Sequence, residues 1–309
     1  MKQLMRTTSA YRAAIQGLGH ASLVLFEDAQ YLRPLLKECA KAFFGAQDES
    51  RIANLIEEES FVDCLFLPAA GGKLTVDDAA HIIDESLLRP VEGERKLFVL
   101  DNFQDASPLV QNKLLKVLEE PPAGVYFLLG ALAEHTVLPT VLSRTSKLSV
   151  VPFPEAEIYA ALVREHGQSA GAREAAAASG GILSVAESLM QNGGEDFRLA
   201  EEFLSFERTE EICRALGEKK DKRAFLSALR LVLRDMLFYQ TGQGKYAALG
   251  RESVKELAKG FPAGVLIAAQ SAVTDAERDV RFNTNLGQSV FTLAVKIEKE
   301  RALWDRVSK

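Results

Sequence analysis

The sequence predicts an α/β unit built on a parallel sheet, followed by all-α units, and three observations lead there. Short apolar runs alternate with helical patterns from the start of the chain to about Val151. Beyond Pro152 and Pro154 the strand signals stop, and helical periodicity interrupted by glycines takes over. A chain of 309 residues also exceeds what one core organises, since domains run to roughly 100–200 residues.

Five apolar runs read as strands, at residues 21–26, 64–67, 96–100, 125–129 and 148–151. Runs without polar alternation suit a sheet buried on both faces. Helical stretches near 31–44, 76–87 and 109–119 lie between them, the last carrying Leu114, Leu115 and Leu118 on one face. Connections of that length return the chain to a parallel neighbour. Thr75 and Asp77 stand where the second helix needs caps, and Pro108 suits the first turn of the third. Glu119-Glu120-Pro121-Pro122 ends that helix, because the prolines stop it and adjacent carboxylates do not share a face for acid–base work.

Glycines at 167, 171, 180, 181, 193 and 194 then punctuate a small helical unit. Longer helices follow near 222–240, 265–281 and 287–304. Leu226, Leu229, Leu233 and Leu237, and later Val290, Leu293 and Ile297, form apolar stripes whose usual meaning is core. Trp304 suits either an interface anchor or an ordinary core position. The expected boundaries are 1–153 for the α/β domain, 154–198 for the small helical domain and 199–309 for the larger one.

Composition narrows the function. No apolar run approaches the roughly 18 residues of a membrane span, and the N-terminal stretch lacks the apolar core of an export signal, so a cytoplasmic location is expected. With 37 basic and 43 acidic residues the net charge is −6, which excludes binding nucleic acid by blanket phosphate neutralisation. Lys113 and Lys116, three apart on one helix, are candidates for local DNA phosphate contact or simply a solvated face. Cys39, Cys64 and Cys213 have no CxxC spacing and read as reduced, structural thiols. His20, His81, His135 and His166 have no metal-ligand spacing, so no metal is expected.

Residues 96–151 contain a strand ending in Asp101, then QNKLLKVLEEPP, another strand and LPTVLSRT. In that order they closely resemble the clamp-loader AAA+ family of bacterial DNA polymerase III gamma, tau and delta-prime subunits. LTVDDAAHIIDESLLRPVEGERK resembles the preceding helix and turn of that family. RFNTNLGQSVFTLAVKI resembles a collar helix, with Asn283 and Asn285 in the matching places. The resemblance implies a RecA-like AAA+ domain, a small helical lid and a helical collar. Its implied partners are gamma/tau and delta subunits in a hetero-pentamer, with the sliding clamp and primer-template DNA reached through the complex.

Against that family, the ATPase elements are missing. A GxxxxGK[ST] loop supplies backbone amides and a Lys to the phosphates. Here the first strand runs into FEDAQYLRPLLKECAK, which puts Glu27 and Asp28 at that place. Gly71-Gly72-Lys73 is followed by Leu74 rather than a hydroxyl residue. Asp101 is followed by Asn102, which cannot take a proton from an attacking water. Ser184 stands at the place of the lid arginine. The zinc-binding cysteines of many relatives are absent, and residues 44–61 read as a short polar helix with solvated acids. No cofactor is therefore expected.

Arg144 survives within Ser143-Arg144-Thr145, where Thr145 replaces the family's usual Cys. By resemblance it is an arginine finger acting in trans on a neighbour's ATP. It would otherwise cap the preceding helix or pair with a surface acid. The resulting expectation is a non-catalytic, delta-prime-like subunit. The alternatives are an active gamma/tau-like ATPase with an atypical phosphate loop, or a free-standing nucleic-acid-binding module.

Overall fold

In the computed structural model, β1 (Ala21–Leu25), β2 (Cys64–Leu67), β3 (Lys96–Leu100), β4 (Val125–Ala131) and β5 (Ser146–Ser149) pair in parallel in the order β2-β3-β4-β1-β5. The structure describes residues 1–167, 170–192, 194–218, 223–281 and 285–307. They fall into two units, Met1–Pro152 and Phe153–Lys309.

In the first unit, α1 (Lys2–Met5), α2 (Ser9–Gln16), α3 (Ala29–Phe43), α4 (Arg51–Glu57), α5 (Val76–Ser86), α6 (Pro108–Glu119) and α7 (Pro139–Leu142) surround the sheet. Every residue of β3 is buried, as a central parallel strand requires. Phe98 and Phe127 stack with ring centroids 5.2 Å apart, and Ile82, Leu114 and Leu118 belong to the same core. On β4, Gly130 lets α3 approach closely: a Cβ there would lie 2.7 Å from Leu36 Cδ1.

The expected elements form, with shifted ends. β4 continues through Gly130 and Ala131 because Leu25 of β1 pairs with Ala131. β5 lies at Ser146–Ser149 rather than 148–151, because it is an exposed edge defined by backbone pairing to Ser22–Leu25, not by apolar side chains. At the start of α5, Thr75 and Asp78, not Asp77, close a capping box. Ser107 caps α6, with Pro108 at its first position, and the helix ends at Glu119 as its prolines require.

The second unit comprises α8 (Glu155–His166), α9 (Ala170–Ala178), α10 (Leu183–Gln191), α11 (Glu195–Ser205), α12 (Thr209–Glu218), α13 (Arg223–Gln240), α14 (Glu252–Lys259), α15 (Ala263–Arg281) and α16 (Leu286–Val307). α13 is buried on more than its expected stripe: Phe225, Ala228, Val232 and Met236 join Leu226, Leu229 and Leu233, because α11, α14 and α15 all pack on it. Leu237 is half-buried. Arg251 ties α9 to α11 by pairing with Glu174 at 2.6 Å and Glu201 at 3.0 Å. The expected boundary between residues 198 and 199 falls inside α11. On α16, Val290, Leu293 and Ile297 are buried, while Trp304 is 44% exposed and its ring lies over Gly264. Asn285 caps α16 by accepting from Gln288 N at 3.2 Å; Asn283, Lys222 and Gly193 lie outside the described residues.

Candidate functional site

Ligands of α/β sheets gather at the carboxyl ends of the strands, and here the ends of β1 and β3 face the start of α3. Phe26-Glu27-Asp28 leads out of β1. Glu27 is exposed, whereas Asp28 is buried and caps α3, its carboxylate accepting from Tyr31 N at 3.3 Å. A helix N-terminus attracts anions through its free amides and dipole. In this protein its own carboxylate takes that place.

Further along α3, Arg33 reaches the end of β3, because the helix packs over β3 and β4. Its Nη1 donates to Asp101 Oδ2 at 3.1 Å, and Nε and Nη2 donate to the two carboxylate oxygens of Glu59 at 2.7 and 2.5 Å. Both Nη atoms also donate to the Pro68 carbonyl, at 3.1 and 3.2 Å. The side chains of Arg33 and Asp101 are only 12% and 3% exposed. The Glu59 carboxylate raises the Arg33 guanidinium above its ordinary value, and Asp101 adds to this. In return, Arg33 holds the Glu59 carboxyl below the usual range, helped by Lys37 at 3.1 Å. Glu59 adopts a left-handed backbone with φ 58°, a conformation that costs a residue with a Cβ about 1–2 kcal/mol.

The other Asp101 oxygen accepts from Asn102 N at 2.8 Å. The Asn102 side chain accepts from Gln104 Nε2 at 3.1 Å, and Gln104 in turn accepts from Leu132 N at 3.2 Å, so this amide belongs to a clasp onto the end of β4. A magnesium nucleotide needs a free strand-end carboxylate, a hydroxyl on the following helix and an amide cradle. With a guanidinium on Asp101 and a carboxylate capping α3, the residues present do not fit that group. Gly71-Gly72-Lys73 forms a turn after β2, with Gly71 at φ 77° and Gly72 N donating to Ala69 O at 2.8 Å; Lys73 is exposed.

Arg33 and Glu59 are functional residues that sequence reasoning missed, and the expectation of solvated acids across 44–61 fails at Glu59. No local spacing joins positions 33, 59 and 101. The strand order and the crossing of α3 bring them together.

Arg144 follows α7 and is half-buried, with its side chain 30% exposed. Its Nε donates to Glu119 Oε2 at 2.8 Å, and Nη1 donates to Thr140 O at 3.0 Å and Ser143 Oγ at 3.3 Å. Both local contacts weighed from the sequence, a helix carbonyl and a surface acid, are therefore present. Ser143 Oγ donates to Thr140 O and Thr145 Oγ1 to Val141 O, so the flanking hydroxyls secure the turn. Lys113 and Lys116 are both exposed on α6, and Lys113 Nζ also donates to Val76 O at 3.2 Å.

Ser184 lies in the first turn of α10. Among the described residues, Glu165, His166 and Glu187 form one group whose ligand atoms lie within 4.8 Å of one another, a juxtaposition across α8 and α10 that sequence spacing does not reveal. Cys39, Cys64 and Cys213 are buried and free, and burial pushes all three thiols up. Among the described residues no helix is long and apolar enough to cross a membrane.

The family described as DNA polymerase III, delta subunit, matches residues 10–154. A Haemophilus influenzae protein named DNA polymerase III subunit tau/gamma is 33% identical over 110 residues, covering 36% of this chain and 16% of its own length. The Bacillus subtilis DNA polymerase III subunit tau is 24% identical over 275 residues, covering 78% of this chain and 48% of its own. The chain thus spans less than half the length of either relative. A crystal structure of a DNA polymerase III gamma subunit-related protein from Thermotoga maritima aligns over 96% of this chain and 99% of that one, at 18% identity and a TM-score of 0.46.

Proposed function

The chain is a member of the DNA polymerase III clamp-loader family, whose fold is AAA+, and from that premise we propose that it is a non-catalytic, delta-prime-like subunit. In this reading it joins gamma/tau and delta subunits in the ring that loads the sliding clamp onto primed DNA. Residues 154–198 act as its lid and 199–309 as its collar.

One observation carries the reading: the Asp101 carboxylate, which in an active site would help hold magnesium, is engaged by Arg33 at 3.1 Å. Asp28 on α3 and the Asn102 amide oppose phosphate binding and proton abstraction in turn. In an active neighbour, bound ATP with magnesium supplies the phosphoryl group to be hydrolysed. Arg144 is the residue of this chain that serves it. Its guanidinium stays charged and presents a rigid fork of donors, which suits charge developing across a subunit boundary. Lys113 and Lys116 offer phosphate contacts on the exposed face of α6.

A second reading, an active gamma/tau-like ATPase, draws on the tau and gamma names of the relatives. Equilibrium titration of the isolated chain with a fluorescent ATP analogue separates the two. No saturable binding is expected at submillimolar analogue, and saturation in that range would overturn the non-catalytic reading.

A further inference from the structure

The pocket that rejects a magnesium nucleotide still holds three oxygen donors of the kind a hard cation takes. We propose that Arg33 is a built-in plug in a latent divalent-cation site whose ligands are Asp101, Glu59 and the Pro68 carbonyl. The inference rests on the reading that this pocket takes no nucleotide, and goes beyond it by naming the cation that replaces the metal and the ligand set it masks.

The oxygens come from three separate segments: the residue after β3, the turn after α4 and the residue after β2. All of them are directed at one guanidinium, with donor–acceptor distances from 2.5 to 3.2 Å. Carboxylates and a backbone carbonyl are the ordinary ligands of magnesium, manganese and calcium. A guanidinium matches them in a different way. Its planar fork answers both oxygens of Glu59 at once and keeps its charge at any working pH. Burial makes the occupant indispensable, because removing one partner of a buried ion pair leaves the other charge uncompensated. Asp101 at 3% exposure cannot recover that loss from water. A divalent cation in the vacated space would compensate both carboxylates, whereas a small neutral side chain at position 33 would compensate neither.

The test uses the full chain with Mn2+ as the probe. Arg33→Ser and Arg33→Ala should melt below the wild type in chelator, regain several degrees on adding Mn2+, and bind about one ion per chain by electron paramagnetic resonance. Their affinity should exceed any wild-type affinity at least about tenfold, and the wild-type melt should ignore Mn2+. The double variant Arg33→Ala with Asp101→Asn should recover the melt without metal and bind little Mn2+. A folded Arg33→Ser that neither binds Mn2+ nor gains stability from it would overturn the proposal, as would an equal Mn2+ response from the wild type. Should the single variants fail to fold, recovery by the double variant supports the plug and its failure overturns it. ATP-analogue binding by the wild type would instead remove the underlying reading, so the two failures are distinguishable.

Discussion

Arg144 is tied back onto Glu119 of its own subunit, Nε to Oε2 at 2.8 Å, just after the residues that end α6 and α7. The pair is part-exposed, at 30% and 55%, so solvent screens it and its grip is weak. A guanidinium held this way has a defined resting position yet gives up little to reach a neighbouring triphosphate.

Replacing that guanidinium is the sharpest test of the functional reading. In a reconstituted loader, Arg144→Ala should leave assembly by size-exclusion chromatography unchanged and reduce ATP turnover at the one site it serves by about 10³-fold or more. Steady-state hydrolysis with clamp and primed DNA measures it. Undiminished turnover would remove the finger role.

Glu119→Gln should leave the fold almost untouched. An exposed ion pair contributes about 0–1 kcal/mol, so urea unfolding of the variant should stay within about 0.5 kcal/mol of the wild type. A loss of several kcal/mol would mean that the pair anchors α6 to α7.

Stability should also fall in acid, through Glu59. Its folded carboxyl lies below the ordinary value of about 4.3, with Arg33 the main cause, so the unfolded chain binds protons first as pH drops. The contribution is complete above that ordinary value and disappears as pH falls through the lower, folded one. Denaturant titrations at successive pH values should give a smaller acid slope for Glu59→Gln, and identical slopes would contradict the assignment.

Gly287→Ala should destabilise the second unit by about 1–3 kcal/mol, because a Cβ there would stand 2.2 Å from the Cys213 carbonyl oxygen, a backbone atom with no rotamer to turn away. Calorimetry on the full chain measures it, with Gly45→Ala as a poor control because of its positive φ and Gly93→Ala, open on all sides, as a suitable one.

Thr75→Ala removes one half of the capping box at α5 and should cost about 1 kcal/mol. Thr75→Ser keeps the hydroxyl and should recover most of the loss. Equal stability of all three proteins would show that α5 is held by packing alone.

The sheet was legible because buried parallel strands leave continuous apolar runs, and β3 with its neighbour β2 stands where the sequence put it. β5 was displaced because a polar edge strand, Ser-Lys-Leu-Ser, carries almost no hydrophobic signal and exists through its ladder with β1. The missing phosphate loop could be read directly from 26–37, yet what fills the space could not. Arg33 looks like any helix-surface cation in one dimension, and Glu59 like a solvated acid. Only the fold reveals that both turn inward onto Asp101. Arg144 was found by its motif, whereas its tether to Glu119, 25 positions away, follows from two helix ends meeting.

The burial of the free cysteines gives the chain an internal pair of unfolding reporters. Cys39 and Cys64 belong to the sheet unit and Cys213 to the helical one. A thiol-alkylating reagent added under native conditions therefore reacts only as each unit opens, and mass spectrometry of the labelled peptides times the two events separately within a single sample.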